Sequence, residues 1–206
     1  MGALIVIALA LTGIALALAE QGSDKILIQG NAAGTQTVQT DAAGVAHVEY
    51  SYNDRGRGDH ITAAWKLDSA GVPTEYEGHG NDYMKAPVDE RFEVKDGKAR
   101  WKNRIEQAEQ SVAGEAFYIP ANPPPEFTGV LSRALLKAPG HKLSLLPASE
   151  ARIEEAGKLS VNGASGKLGA RELRLQCLSH CIGWRMREEP ETVLLGRTLV
   201  CESRSS

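Results

Sequence analysis

Two stretches of strict alternation constrain this chain more than any other feature. Residues 45–52 read VAHVEYSY and residues 61–67 read ITAAWKL. In the first, Ala46, Val48, Tyr50 and Tyr52 share one face; in the second, Ile61, Ala63, Trp65 and Leu67 do. Successive side chains of a strand point to opposite faces, so this period describes strands with one buried side. Between them residues 53–60 (NDRGRGDH) form a charged turn punctuated by glycine.

The neighbouring sequence repeats the device. Asp41-Ala42-Ala43-Gly44 follows the β-branched residues 34–40, and Asp68-Ser69-Ala70-Gly71 follows ITAAWKL. An aspartate opening a turn can bond its own backbone, and a closing glycine tolerates positive φ. Asp96-Gly97 joins RFEVK to KARWK in a tighter form. With residues 25–29, 72–78 and 111–119 as further strands, the spacing predicts an antiparallel meander. PANPPP (120–125) interrupts it and hands over to a helix at 126–137, where Phe127, Val130, Leu131, Ala134 and Leu135 recur on one face. Pro139-Gly140 ends that helix, and residues 142–146 and 151–161 return as strands. The expected fold is mainly β: a curved antiparallel meander sheet with one packed amphipathic helix, residues 20–166.

Both ends differ from this domain. Residues 3–19 are an unbroken run of apolar or small residues that closes on Ala17-Leu18-Ala19. That triplet suits a signal peptidase, so residues 1–19 read as a signal helix cleaved after Ala19, and the product as periplasmic or secreted. Only Met1 and Gly2 precede the run, which suggests a mis-assigned start codon; the competing reading is an uncleaved anchor. After cleavage no stable membrane span is expected. Beyond Gly166 there is no lysine after Lys167, and the chain's cysteines (Cys177, Cys181, Cys201) all fall here. Such a shift suits a coding region read out of frame, so residues 167–206 are expected to be an aberrant, poorly ordered tail.

The net charge of −3 excludes bulk attraction to nucleic acid or to an anionic membrane. None of the histidines (His47, His60, His79, His141, His180) forms a His-x-His pair, and no Gly-x-Ser-x-Gly elbow, phosphate loop or dinucleotide fingerprint occurs. Cys177, His180, Cys181 and Cys201 have the wrong spacing for zinc. Arg57-Gly58-Asp59 matches an integrin-read tripeptide but sits where a hairpin needs glycine, and reads as a solvated turn. What remains is a looser polar set: Arg55, Arg57, Asp59 and His60 in one loop, with Asp54, and His79, Asp82 and Tyr83 in the other, with Asn81. If both loops share one sheet edge, they form a polar binding site or an interface; otherwise they are ordinary charged turns. No catalytic or metal-binding residue is assigned.

The phrases GTQTVQTDAAGVAHVEYSYNDRGRGDHITAAWKL, YEGHGNDYMKAPVDERFEV, KARW and FYIPANPPPEFTGVL resemble the N-terminal non-catalytic region of exported bacterial amidohydrolase-family proteins of the imidazolonepropionase-like kind. The resemblance spans about residues 30–166. It implies a β-rich region ahead of a (β/α)8 barrel, which holds a divalent metal such as zinc and hydrolyses C–N bonds. No cofactor is expected in this chain, and its partner would be that missing barrel. Two functions follow as expectations. The first is a non-catalytic domain of such a hydrolase, inactive by itself. The alternative is a periplasmic binding protein whose Trp65, Phe92, Trp101 and Phe117 line a cavity for a hydrophobic or amphiphilic ligand.

Overall fold

The computed structural model describes residues 21–163, 166–178 and 191–194. The proposed signal segment with its cleavage at Ala19, and His180, Cys181 and Cys201, lie outside the described residues.

Eight strands form one antiparallel sheet in strict sequence order. They are β1 (Gln21–Ile28), β2 (Asn31–Thr40), β3 (Val45–Tyr52), β4 (His60–Leu67), β5 (Pro73–Asn81), β6 (Pro87–Lys95), β7 (Lys98–Lys102) and β8 (Gln107–Ser111). The alternation holds: Ala46, Trp65, Tyr76, Phe92, Trp101 and Ala108 line up across the ladders as one inward row. A second sheet runs β13–β12–β11–β10–β9, built from β9 (Ala116–Tyr118), β10 (Lys142–Leu146), β11 (Glu150–Gly163), β12 (Gly166–Leu178) and β13 (Glu191–Leu194). Between β9 and β10, which pair in parallel, the chain crosses over through α1 (Pro125–Lys137). A parallel pair needs such a crossover because a short turn cannot reverse the chain twice.

Helix α1 fills the hollow of the first sheet. Phe127 meets Trp65, Tyr76 and Phe117 edge-on, with ring centroids 5.1, 5.2 and 5.4 Å away. Next to it, Tyr118 of β9 stacks on Phe92 at 4.3 Å. Gln36 on β2 accepts the amide of Glu126 at the start of α1, while Trp101 on β7 lies 6.2 Å from Tyr118. Strands from β2 to β7, spanning about 24 Å if flat, therefore converge on one helix and one short strand. The sheet must curve around them.

Two strand assignments change. Residues 111–119 are not one strand: β8 ends at Ser111 and β9 starts at Ala116, in the other sheet. Ala113-Gly114 gives the chain the freedom to leave one sheet for the next. The ordered domain also runs past Gly166, where composition placed its end. β12 pairs with β11 along its length, and Leu173 and Leu175 are buried. The residues RELRLQC keep period two, with Arg174 reaching Glu154 at 3.2 Å and Arg152 reaching Gln176 at 2.7 Å. Composition changed at Gly166 while the pattern that matters to a strand did not.

Tyr76 is almost wholly buried, and its hydroxyl has no hydrogen-bond partner among the described residues. It lies over Gly78, where a Cβ would sit 2.8 Å from the oxygen. A buried hydroxyl without a partner keeps its desolvation cost, so Tyr76→Phe is expected to stabilise the domain by about 1 kcal/mol. Urea melts of the two proteins check this; a lower midpoint for the variant would contradict it.

Candidate functional site

The strand order decides where the polar loops go. In a meander alternate turns share an end, so the β3–β4 and β5–β6 loops are neighbours. The second loop is built on Asp82, whose Oδ1 accepts the amides of Met84 at 2.9 Å and Ala86 at 2.8 Å. That is the turn Asp41 and Asp68 make with Ala43, Val45, Ala70 and Val72. Lys85, at φ 65°, takes the left-handed place that Gly44 and Gly71 hold in the other two.

The two loops are joined. The Tyr83 hydroxyl donates to Asp54 Oδ2 at 3.4 Å, and its ring stacks on Tyr52 with centroids 6.4 Å apart. Asp59 is half-buried and accepts the Tyr83 amide; burial, then the charge of Asp82, raises its pKa above the usual aspartate range. Burial chiefly, then Asp59, Tyr83 and Asp54, pushes the Tyr52 hydroxyl up to about 12. Gly80 next door has φ 136°, and a Cβ there would lie 1.9 Å from the His60 carbonyl oxygen, so only glycine fits this closure.

Of the polar set read from the sequence, Asp59, Asp82 and Tyr83 come together, with Asp54 as a fourth member. Arg55 and Arg57 stand at the exposed loop tip, Arg55 loosely paired with Asp54 at 3.6 Å. His60 is exposed at the start of β4. His79 is apart from the cluster: it lies on the solvent face of β5 between Glu77 (3.4 Å) and Asp89 (3.3 Å). There it borders a shallow trough with His47 and Glu49 around the small Ala64. Within Arg57-Gly58-Asp59 the aspartate is turned inward onto Tyr83, so the triplet does not present both charges.

Period two also points Glu90 inward, between Val88 and Phe92, although its charge suggests a surface. Glu90 is buried at 2% exposure. Its carboxylate accepts the Tyr118 hydroxyl at 2.6 Å, the Ala121 amide at 3.0 Å on both oxygens, and the Asn122 amide. Desolvation raises its pKa above the ordinary glutamate value against the pull of those donors. The effect is to tie the proline-rich strap at 120–125 and β9 to the first sheet. Beside it a recess of about 60 Å³ opens between Asp82, Arg104, Ile105 and Asn122.

Among the described residues no group of three or more His, Cys, Asp or Glu is placed to hold a metal ion, and no helix is long and apolar enough to cross a membrane. Trp65, Phe92, Trp101 and Phe117 are buried around Phe127 and Tyr118.

No protein-family model matches the chain, and no curated protein matches it. Among solved structures it is similar to a beta-barrel-like protein of domain of unknown function DUF1849 from Brucella abortus. That likeness has a TM-score of 0.45 and 10% identity, over 81% of this chain and 78% of that one.

Proposed function

We propose that this chain is a non-catalytic β domain of an exported amidohydrolase-like protein, a platform beside a metal-dependent barrel supplied by the remainder of such a protein. One observation carries the reading: the carboxylates that could do chemistry hold the fold instead. Asp82 closes a turn, Asp59 and Asp54 lock it to the next loop, and Glu90 fastens the strap. A general acid or base needs a proton partner that it can reach in a substrate pose, and these groups face their own backbone and tyrosines. If the chain leaves its reading frame, the core positions of Leu173 and Leu175 favour a point after Leu175. Translating the downstream DNA in the other two frames is expected to show a His-x-His followed by spaced His and Asp. The purified chain, with zinc or manganese added, is expected to show no amide hydrolysis above the metal alone; metal-dependent turnover would overturn the reading.

The aromatic hollow favours a second reading, a binding protein for a hydrophobic or amphiphilic ligand. Trp65, Tyr76 and Phe92 form a cup that a ligand could occupy if α1 moved aside. Saturable binding of a lipophilic dye, abolished by a disulfide that pins α1 to the sheet, is the outcome this reading requires.

A further inference from the structure

The crossover into α1 begins with Pro120-Ala121-Asn122-Pro123-Pro124-Pro125. Proline has no backbone N–H, so Ala121 and Asn122 carry all the amide donors of this strap. Glu90 accepts both, with the Ala121 nitrogen 3.0 Å from each carboxyl oxygen. The next free amide, that of Glu126, goes to Gln36 at 2.9 Å. Pro120 and Pro124 are buried as well, but their packing is indifferent to pH. The titratable fastening of the strap is therefore a single carboxyl group.

That group is buried without a counter-ion. Among the described residues no ion pair joins Glu90 to a cation, and Arg104 borders the recess beside it in company with Asp82 and Asp89. The groups that face Glu90 are Tyr118 from β9, Tyr76 from β5 and, as a like charge, Glu106 from the β7–β8 turn. These partners serve an acid as well as an anion. A tyrosine hydroxyl both donates and accepts, so Tyr118 can take the proton of a neutral Glu90 while the other oxygen keeps the strap amides. The anion has the same contacts but remains desolvated beside another carboxylate, which disfavours it. Burial accordingly holds Glu90 above the ordinary glutamate range, against the pull of Tyr118, Ala121 and Asn122.

From this geometry we infer that the strap is a proton-operated latch, closed on the sheet while Glu90 is an acid and released when Glu90 ionises. The recess gives water a way to the carboxylate once Ala121 and Asn122 lift off. Phe127 follows closely in the chain, so release loosens the helix end that covers Trp65 and Tyr76. The sign follows from linkage. In the open strap Glu90 meets water and returns to the ordinary value of 4.5, so opening releases a proton and is favoured by rising pH. The inference does not depend on the proposed function.

Hydrogen-exchange mass spectrometry of the whole chain tests it. In the peptide 119–126 the prolines leave Ala121, Asn122 and Glu126 as the reporting amides. Protection is measured at a series of pH values and corrected for the intrinsic exchange rate at each. For the parent, protection is expected to fall about tenfold per pH unit above 4.5 and to level off at the elevated value of Glu90. Glu90→Gln is expected to show no such slope. Glu106→Gln keeps an acceptor for the Trp101 indole and removes the like charge, so its curve should level off at lower pH. The strap should also exchange well ahead of a peptide from β4, and without dependence on mild urea. A parent curve without slope, or the same slope in Glu90→Gln, would overturn the inference. So would a strap that exchanges only together with β4, since Glu90 would then be a static tie that titrates on global unfolding. If Glu90→Gln does not fold, the parent curve and the Glu106→Gln shift decide.

Discussion

Phe127→Ala is expected to lower the stability of the domain by about 4 kcal/mol, the range for removing a buried aromatic ring and leaving a cavity. For a domain of this size that corresponds to a fall of about 10 °C in melting temperature. The ring is 2% exposed and meets three other aromatic rings, one from each of β4, β5 and β9. Few neighbours can move in, because Trp65 and Tyr76 are fixed by their ladders and stack on each other at 6.4 Å. Phe127→Leu keeps most of the volume and is expected to cost about 1.5 kcal/mol. Denaturant midpoints measure both. Equal losses for Ala and Leu would show that shape, and not the filled space, governs this contact.

Glu90→Ala is the second large effect, at about 3 kcal/mol, because it strands the Tyr118 hydroxyl and the Ala121 and Asn122 amides in a buried place. Glu90→Gln keeps one acceptor but turns a donor toward those amides, so a smaller loss is expected. The pH dependence separates charge from geometry. Burial raises the pKa of Glu90 in the folded state, so the folded protein holds this proton more tightly than the unfolded chain. The stability that protonation contributes is complete below the ordinary glutamate value of 4.5 and is lost as pH rises through the elevated folded value. The stability of the parent relative to Glu90→Gln should therefore fall with rising pH across that window. A difference that is flat, or that rises, would mean the carboxylate is not held in a desolvated site.

Much of the fold was legible because strands and turns announce themselves locally. Asp41 and Asp68 mark their turns with a following glycine, and the one helix shows its apolar face. The Asp82 turn has the same hydrogen bonds but closes on Lys85 in place of glycine, so the usual signal is missing there. Residues 111–119 misled because alternation records burial on a face and not which sheet the face belongs to. The meeting of Asp54, Asp59, Asp82 and Tyr83 was partly visible, since alternate turns share an end, yet His79 belongs to the opposite face of its strand. Glu90 was within reach of the same alternation, but Tyr118 and Ala121, which explain its burial, lie 28 and 31 residues away.

Because each strand of the first sheet pairs with its neighbour in sequence, its hairpins can close one after another as the polypeptide emerges, without waiting for distant partners. The aromatic lining is the exception. It stays wet until residues 116–146 have been made and the crossover swings in, so a nascent chain halted before that segment presents Trp65, Tyr76 and Phe92 to whatever holdase is at hand.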